Sequence, residues 1–326
     1  MAYSDAVLQR AKARLAQERE NAEQESQARI AEIYAGYPRL REIDLALRAT
    51  VARVLAASFR RGEDPAEAVE QAKKENLALQ EERSWILQAN DLKESDLEVQ
   101  PVCVLCGGSG YVGGRMCECL CELCRQEQKR ELSSLLAGRE TFESFRLQYY
   151  PVEPDEELGV SPRKLMERVY QRCRTYARTF GPGAASLLFT GGTGLGKTFL
   201  SACIARTVAE NGWSVVYDTS ARLFADFETA KFGTQDGENQ NLTRKYLQCD
   251  LLIIDDLGTE MLTQFVQSAL YQVVNTRLME GHATIISTNL STKELSGRYM
   301  KQTVSRLLGV YELFMFRGND IRMLKK

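Results

Sequence analysis

Histidine is almost absent: His282 is the only one among 326 residues. A His-rich metal centre is therefore impossible, and a Ser-His-Asp hydrolase would have to depend on that single imidazole. Charge of one sign is lacking too. The formal net charge is −2, so no global basic field would hold the chain to DNA, and any nucleic-acid contact must come from a local patch. No uninterrupted apolar run approaches the roughly 20 residues a membrane span requires, and the N-terminus lacks the basic-then-apolar pattern of a signal peptide. A cytoplasmic protein with no membrane partner is the expectation. With 44% hydrophobic and 26% charged residues the composition is that of an ordinary soluble globular protein, long enough for about two domains.

What is present is a phosphate-binding pattern. The apolar run Leu187-Leu188-Phe189-Thr190 leads into Gly191-Gly192-Thr193-Gly194-Leu195-Gly196-Lys197-Thr198-Phe199, which satisfies G-x-x-x-x-G-K-[ST] between a strand and a helix. The glycines let backbone N–H groups turn inward around α- and β-phosphates, Lys197 reaches the β/γ oxygens, and the Thr198 hydroxyl can ligate Mg²⁺. The helix opening near Lys197 aims its positive end at the same anion.

Upstream of this loop the chain reads as helical, then cysteine-rich. Ser4 to Tyr34 has neither glycine nor proline, a second helical run follows Pro38 to about Arg60, and a third starts at Asp64-Pro65-Ala66-Glu67, with Asp64 at the N-cap, and runs to about Leu87. Of nine cysteines, six fall between Cys103 and Cys124. In a reducing compartment that crowding points to metal, and four thiolates in a closed tetrahedral site suit structural Zn²⁺. Cys103 and Cys106 form a glycine-backed knuckle. Cys117 with Cys119 is the favoured second pair, because a helix starting near Leu120 would carry Cys121 and Cys124 away; those two remain alternates, and an iron–sulfur cluster is the competing occupant. Beyond Gly138, Thr141 to Phe145 and Tyr149-Tyr150-Pro151 read as extended chain, and Ser161-Pro162 opens a helix to about Thr179.

Four apolar segments then alternate with helices: Ser186 to Thr190, Ser214 to Asp218, Leu251 to Asp255 and Thr284 to Ser287, with a weaker fifth at Val310 to Phe316. That alternation predicts an α/β fold, a parallel sheet flanked by helices, with the ligand at the carboxyl ends of the strands. Leu251-Leu252-Ile253-Ile254-Asp255-Asp256 has the apolar-then-acidic form of a Walker B strand. Asp255 would hold Mg²⁺, Asp256 would sit beside the attacking water, Glu260 is a second residue able to polarise it, and Asn289 stands where an amide can meet the γ-phosphate.

Gly191 to Thr198, Cys249 to Glu260, Ile286 to Ser291, Ser305-Arg306-Leu307 and Gly318 to Arg322, in that order and spacing, closely resemble the DnaC/DnaI-type bacterial replicative helicase loaders of the AAA+ ATPases, from about Thr141 onward. The resemblance implies a P-loop AAA+ core over 184–326, reached through a linker and helix over 138–183, and preceded by a helical partner-binding region over 1–100 and a zinc-binding segment with its helix over 101–137. It implies ATP hydrolysis, Arg306 as an arginine finger in a neighbour's site within a ring or spiral, and Arg322 as a sensor arginine. The small helical lid that often carries that sensor has no room before Lys326. It further implies a replicative helicase as partner and single-stranded DNA near the helix Arg222 to Phe232, for which plain packing on the sheet is the competing reading. Asp256 stands where many AAA+ enzymes have the longer Glu, so slow turnover is expected. An IstB-type transposition helper and a nucleotide-locked adaptor with little turnover are the alternatives.

Overall fold

The computed structural model describes residues 3–58, 65–135, 140–155, 159–233 and 242–324. It divides into two compact units, Ala13–Cys119 and a larger one made of Met1–Lys12 with Leu120–Lys326.

The smaller unit is built mainly from α1 (Asp5–Gly36), whose first turns belong to the larger unit, α2 (Pro38–Ser58) and α3 (Pro65–Ala89). Only Tyr37 separates the first two. Pro38 ends one helix and starts the next, because the first helical position needs no N–H donor. The proposed cap at Asp64 lies outside the described residues. Leu40 and Ile43 are fully buried, and Arg83 on α3 reaches Asp44 of α2 at 2.6 Å. A two-stranded antiparallel ribbon, β1 (Tyr111–Val112) and β2 (Arg115–Met116), closes the cysteine loop.

The larger unit begins, after the first turns of α1, with α4 (Glu118–Leu135). Residues 120–135 of this helix belong with the core rather than with the cysteine segment to which sequence alone attached it. Gln128 explains why: its amide donates to the Trp213 carbonyl at 2.9 Å and accepts from the Val215 N–H at 3.0 Å, so the helix is tied to a sheet edge. The end of that helix expected at Gly138 lies outside the described residues. The segment predicted as extended is instead coiled into 3₁₀ turns at Phe142–Ser144 and Leu147–Tyr149. Thr141 accepts from the Ser144 N–H while the Ser144 hydroxyl accepts from the Thr141 N–H, a reciprocal cap that favours a turn over a strand. Helix α5 (Pro162–Arg178) starts as its sequence predicts, with the Ser161 side chain accepting from Lys164 N–H and proline at the first position.

The core sheet has five parallel strands: β3 (Leu187–Thr190), β4 (Val215–Thr219), β5 (Leu251–Leu257), β6 (Ala283–Thr288) and β7 (Glu312–Met315), in the order β4-β5-β6-β3-β7. All five apolar segments are therefore strands, and the α/β fold expected, a parallel sheet flanked by helices, is the one found. Alternate residues feed two cores. Leu187, Phe189, Ile253 and Ile285 pack with α5 and α6 (Lys197–Glu210) on one face. Leu188, Leu252, Ile254 and Ile286 pack on the other face with α7 (Ser220–Phe232), α8 (Arg244–Gln248), α9 (Gln264–Glu280), α10 (Thr292–Arg298) and α11 (Lys301–Gly309). The short α12 (Ile321–Leu324) ends the described chain. The connection leaving β3 skips two strands to reach β4, so a crevice opens at the carboxyl ends beside β3. The polar loop predicted after Phe232 falls on residues 234–241, which lie outside the described residues.

Candidate nucleotide-binding site

The loop from β3 to α6 can be held only by residues without side chains at two places. Gly191 has φ +143°, and a Cβ there would lie 2.3 Å from the Phe316 carbonyl oxygen; Gly194 has φ +70°, and its Cβ would fall 1.7 Å from the Asp320 carboxylate. The loop is thus sandwiched by the chain leaving β7, which also donates the Ile321 N–H to the Gly194 carbonyl at 3.1 Å. Behind it, buried Tyr150 donates its hydroxyl to the Leu195 carbonyl at 2.8 Å.

Lys197 is buried and folds back over its own loop. Its ammonium donates to the carbonyls of Gly191 and Gly192 at 2.6 Å each and to Asn289 Oδ1 at 2.8 Å. Burial pulls its pKa down to about 8, although Asp256 and Asp255 oppose that shift; Arg322 reinforces it. Three hydrogen bonds to neutral acceptors hold a cation in place without neutralising it, which suits a site awaiting an anion.

Asp255, at the end of β5, is buried and accepts hydrogen bonds from the hydroxyls of Thr198 (3.3 Å), Tyr217 (2.8 Å) and Ser287. Asp256 follows with φ 55°. Burial raises its pKa, and the neighbouring Asp255 adds to the rise, while Lys197 and Arg322 pull the other way. A cavity of about 420 Å³ collects these groups: Thr193 to Phe199, Asp256, Asn289 and Arg322 line it. The 3₁₀ turns contribute its remaining wall through Phe145, Arg146 and Tyr149. That wall was not foreseen from the sequence; the density of aromatic residues between Phe142 and Tyr150 was the available signal.

Residues 164–308 match the sequence family described as IstB-like ATP binding protein. The replicative helicase loader DnaC of Buchnera aphidicola subsp. Schizaphis graminum is 24% identical over 169 residues, covering 52% of this chain and 65% of that protein. The replicative helicase loader DnaC of Escherichia coli K12 is 25% identical over 136 residues, 42% of this chain and 55% of that protein. The chain therefore spans less than two thirds of the length of these relatives. A crystal structure of the DnaC helicase loader aligns with a TM-score of 0.45 at 20% identity, over 55% of this chain and 97% of that one. The core is thus similar in sequence to IstB-like ATP binding proteins and to DnaC.

Within this core the remaining predicted residues separate. Arg322 lines the cavity and its charge acts on both Lys197 and Asp256. Arg306, on α11, does not line it: its guanidinium lies 4.9 Å from the Tyr271 ring centroid and donates to the Gln302 carbonyl and the Tyr271 hydroxyl. Among the described residues no carboxylate pairs with it. Glu260 does not line the cavity either, contrary to its expected place beside water. Its carboxylate is buried and accepts from Ser220 Oγ (2.9 Å), the Gly258 N–H (2.9 Å) and the Tyr299 hydroxyl. Burial alone would raise its pKa, but those donors hold it below the usual carboxylate range. Helix α7 packs its large apolar residues on the sheet: Leu223, Phe224 and Phe227 are buried, and of these side chains and Phe232 only the last is exposed, 5.6 Å from Phe265 with Lys231 over both rings. Cys173, Cys203 and Cys249 are buried in the core, and His282 Nδ1 lies 3.1 Å from the Leu247 carbonyl.

In the smaller unit the sulfur atoms of Cys103, Cys106, Cys117 and Cys119 all lie within 4.8 Å of one another. The Cys103–Cys117 and Cys106–Cys119 separations are 3.8 and 3.5 Å. Four thiolates about 2.3 Å from one tetrahedral Zn²⁺ stand roughly 3.8 Å apart, so the donor set fits a single such ion. Thiolates around an iron–sulfur cluster bind several separate metal atoms and stand farther apart. The alternates Cys121 and Cys124 are not in the group: both lie farther along α4 than Cys119, and burial pushes the Cys124 thiol up to about 11.

Proposed function

We propose that this chain is an AAA+ ATPase that loads a replicative DNA helicase onto single-stranded DNA. The observation that carries the reading is the convergence of Lys197, Thr198, Asp256 and Asn289 at one cavity at the carboxyl end of a parallel sheet, with buried Asp255 accepting from the Thr198 hydroxyl. In this reading the loop N–H groups and Lys197 bind the triphosphate of ATP and stabilise charge gathering on the β–γ bridge. Thr198 and Asp255 supply hard oxygen ligands for Mg²⁺, which neutralises phosphate charge. Asp256 orients the water that attacks the γ-phosphorus, and Asn289 contacts the γ-phosphate. Arg322 senses the same phosphate, and Arg306 of a neighbouring copy completes the site in a ring or spiral. Asp256, one methylene shorter than glutamate, makes turnover slow.

The same reading gives the smaller unit the helicase-docking role, with its knuckle held by structural Zn²⁺, and places the protein in the cytoplasm. Single-stranded DNA would meet Arg222, Lys231 and exposed Phe232 beside the half-buried Phe265, where stacking and a cation suit that ligand. An IstB-type transposition helper is the second reading, favoured by the family match of the core.

The experiment is phosphate release by the full chain with and without single-stranded DNA, beside capture of the host's replicative helicase. Release that is lost in Lys197→Ala, with helicase captured by wild type and lost in Val104→Asp/Leu105→Asp at the exposed tip of the knuckle, supports the loader. ATP bound without release points to an adaptor, and hydrolysis without helicase capture leaves the transposition helper. Mixing Arg306→Ala with Lys197→Ala protein restores part of the activity only if the finger acts between copies.

A further inference from the structure

Among the described residues only Asp91 and Asp256 adopt a left-handed φ without being glycine. An aspartate tolerates that conformation but does not select it, so something outside the residue must hold it there. Three hydroxyls surround the Asp256 backbone. Its N–H donates to Ser287 Oγ at 3.1 Å, and its carbonyl accepts from Ser220 Oγ at 3.1 Å and from Thr259 Oγ1 at 2.9 Å. With the peptide fixed on both sides, the Asp256 side chain can only project into the nucleotide cavity.

Ser220 is fully buried, yet it is the first residue of α7. Its hydroxyl also lies 2.9 Å from Glu260 Oε2. A serine hydroxyl has one proton to give, so it serves the Asp256 carbonyl or the Glu260 carboxylate, not both at once. Glu260 is anchored independently by the Gly258 N–H, the Tyr299 hydroxyl and Arg298, whose guanidinium donates to the Glu260 carbonyl at 2.6 Å. The carboxylate is thus held without the serine, and the one Ser220 proton is what Glu260 and the Asp256 carbonyl share.

We propose that Ser220 and Thr259 are positioning residues for Asp256, and that the single Ser220 proton, shared with Glu260, couples the seating of α7 to the hydrolytic geometry of the site. The coupling rests on the ATPase reading above. It gives Glu260 a role as anchor, in place of direct contact with water, and it gives α7 a route from its surface end at Phe232 to the chemistry. A shift of α7 that moves Ser220 toward Glu260 releases the Asp256 carbonyl and leaves Thr259 as its sole hydroxyl donor.

The test is steady-state ATP hydrolysis by full-length Thr259→Val, Thr259→Ser and Ser220→Ala, with nucleotide affinity measured separately. Thr259 is exposed, so valine removes the donor with little change in packing. Misplacing a reacting group slightly costs about 10-fold to 100-fold in rate. Thr259→Val should lower kcat by that factor at unchanged ATP affinity, Thr259→Ser should restore it, and Ser220→Ala should lower kcat likewise. Thr259→Val with wild-type kcat, or with kcat and affinity falling together without rescue by serine, overturns the proposal while leaving the ATPase reading intact. Absence of turnover in wild type would instead sink that reading, and this one with it.

Discussion

The two ends of the core sheet each bury a cation, and they treat it in opposite ways. At the carboxyl end, Lys197 makes three hydrogen bonds, two of them to the loop that a ligand would enter. At the amino end, fully buried Arg277 spreads its guanidinium over the carbonyls of Tyr246, Cys249 and Ala283 and the Thr284 hydroxyl, at 2.6 to 2.9 Å. Neither has a carboxylate partner within ion-pair distance among the described residues. The difference lies in what could replace the protein contacts. The lysine faces a cavity and can trade carbonyls for phosphate, whereas the arginine faces only the starts of β5 and β6 and the end of α8. One end of the sheet stores binding capacity and the other stores rigidity.

Removing the arginine should break this contrast most severely. Arg277→Ala strands several buried carbonyls at once, and breaking such a buried polar network typically costs about 3–5 kcal/mol. Chemical denaturation should show that loss, with nucleotide binding declining only as far as the fold does. A loss under 1 kcal/mol would mean that water satisfies those carbonyls.

Lys197→Ala should do the reverse. Its hydrogen bonds compete with an unfavourable buried charge, so denaturation should barely move, while ATP affinity should fall by about 10-fold to 100-fold, the worth of a charged hydrogen bond. Equal damage to stability and affinity would erase the distinction between the two ends.

The lysine was legible in the sequence and the arginine was not, for a physical reason. A phosphate loop needs its glycines and lysine at fixed spacing within one short segment, so the pattern survives in one dimension. The same holds for Asp255 and Asp256 at the end of an apolar run, and for the strands themselves. Arg277 is one basic residue in the last turn of an amphipathic helix, and its partners come from α8, β5 and β6; nothing local marks it. Tyr150, Ser220 and Thr259 were hidden likewise, because their role is defined by a backbone carbonyl far away in sequence or by a hydroxyl that any loop could carry. Glu260 was misplaced because carboxylates near a Walker B strand are cheap to nominate, and only the positions of Ser220 and Tyr299 reveal that this one is already occupied. In the cysteine segment spacing narrowed the donors to pairs, and the fold decided between them by bringing the sulfur atoms of Cys117 and Cys119 within 4.8 Å of those of Cys103 and Cys106.

The smallest effect sharpens the comparison through pH. Lys197 titrates near 8 in the free protein, below the ordinary value of about 10.4 for lysine. Phosphate binds the protonated form, so kcat/KM, which reports free enzyme, should fall above pH 8 by about tenfold per unit. Stability has the opposite sign. Between about 8 and 10.4 the unfolded chain holds a proton that the folded chain has released, so unfolding free energy rises with pH across that window. Asp256, whose pKa is raised chiefly by burial, sets an acid limb above the ordinary aspartate range, and Asp256→Asn should remove it. Lys197→Met should flatten the alkaline limb of nucleotide binding and its share of the stability slope together. If nucleotide affinity stayed level to pH 9.5, the lysine would be an ordinary solvated one, and the two ends of the sheet would differ only in where their cations happen to lie.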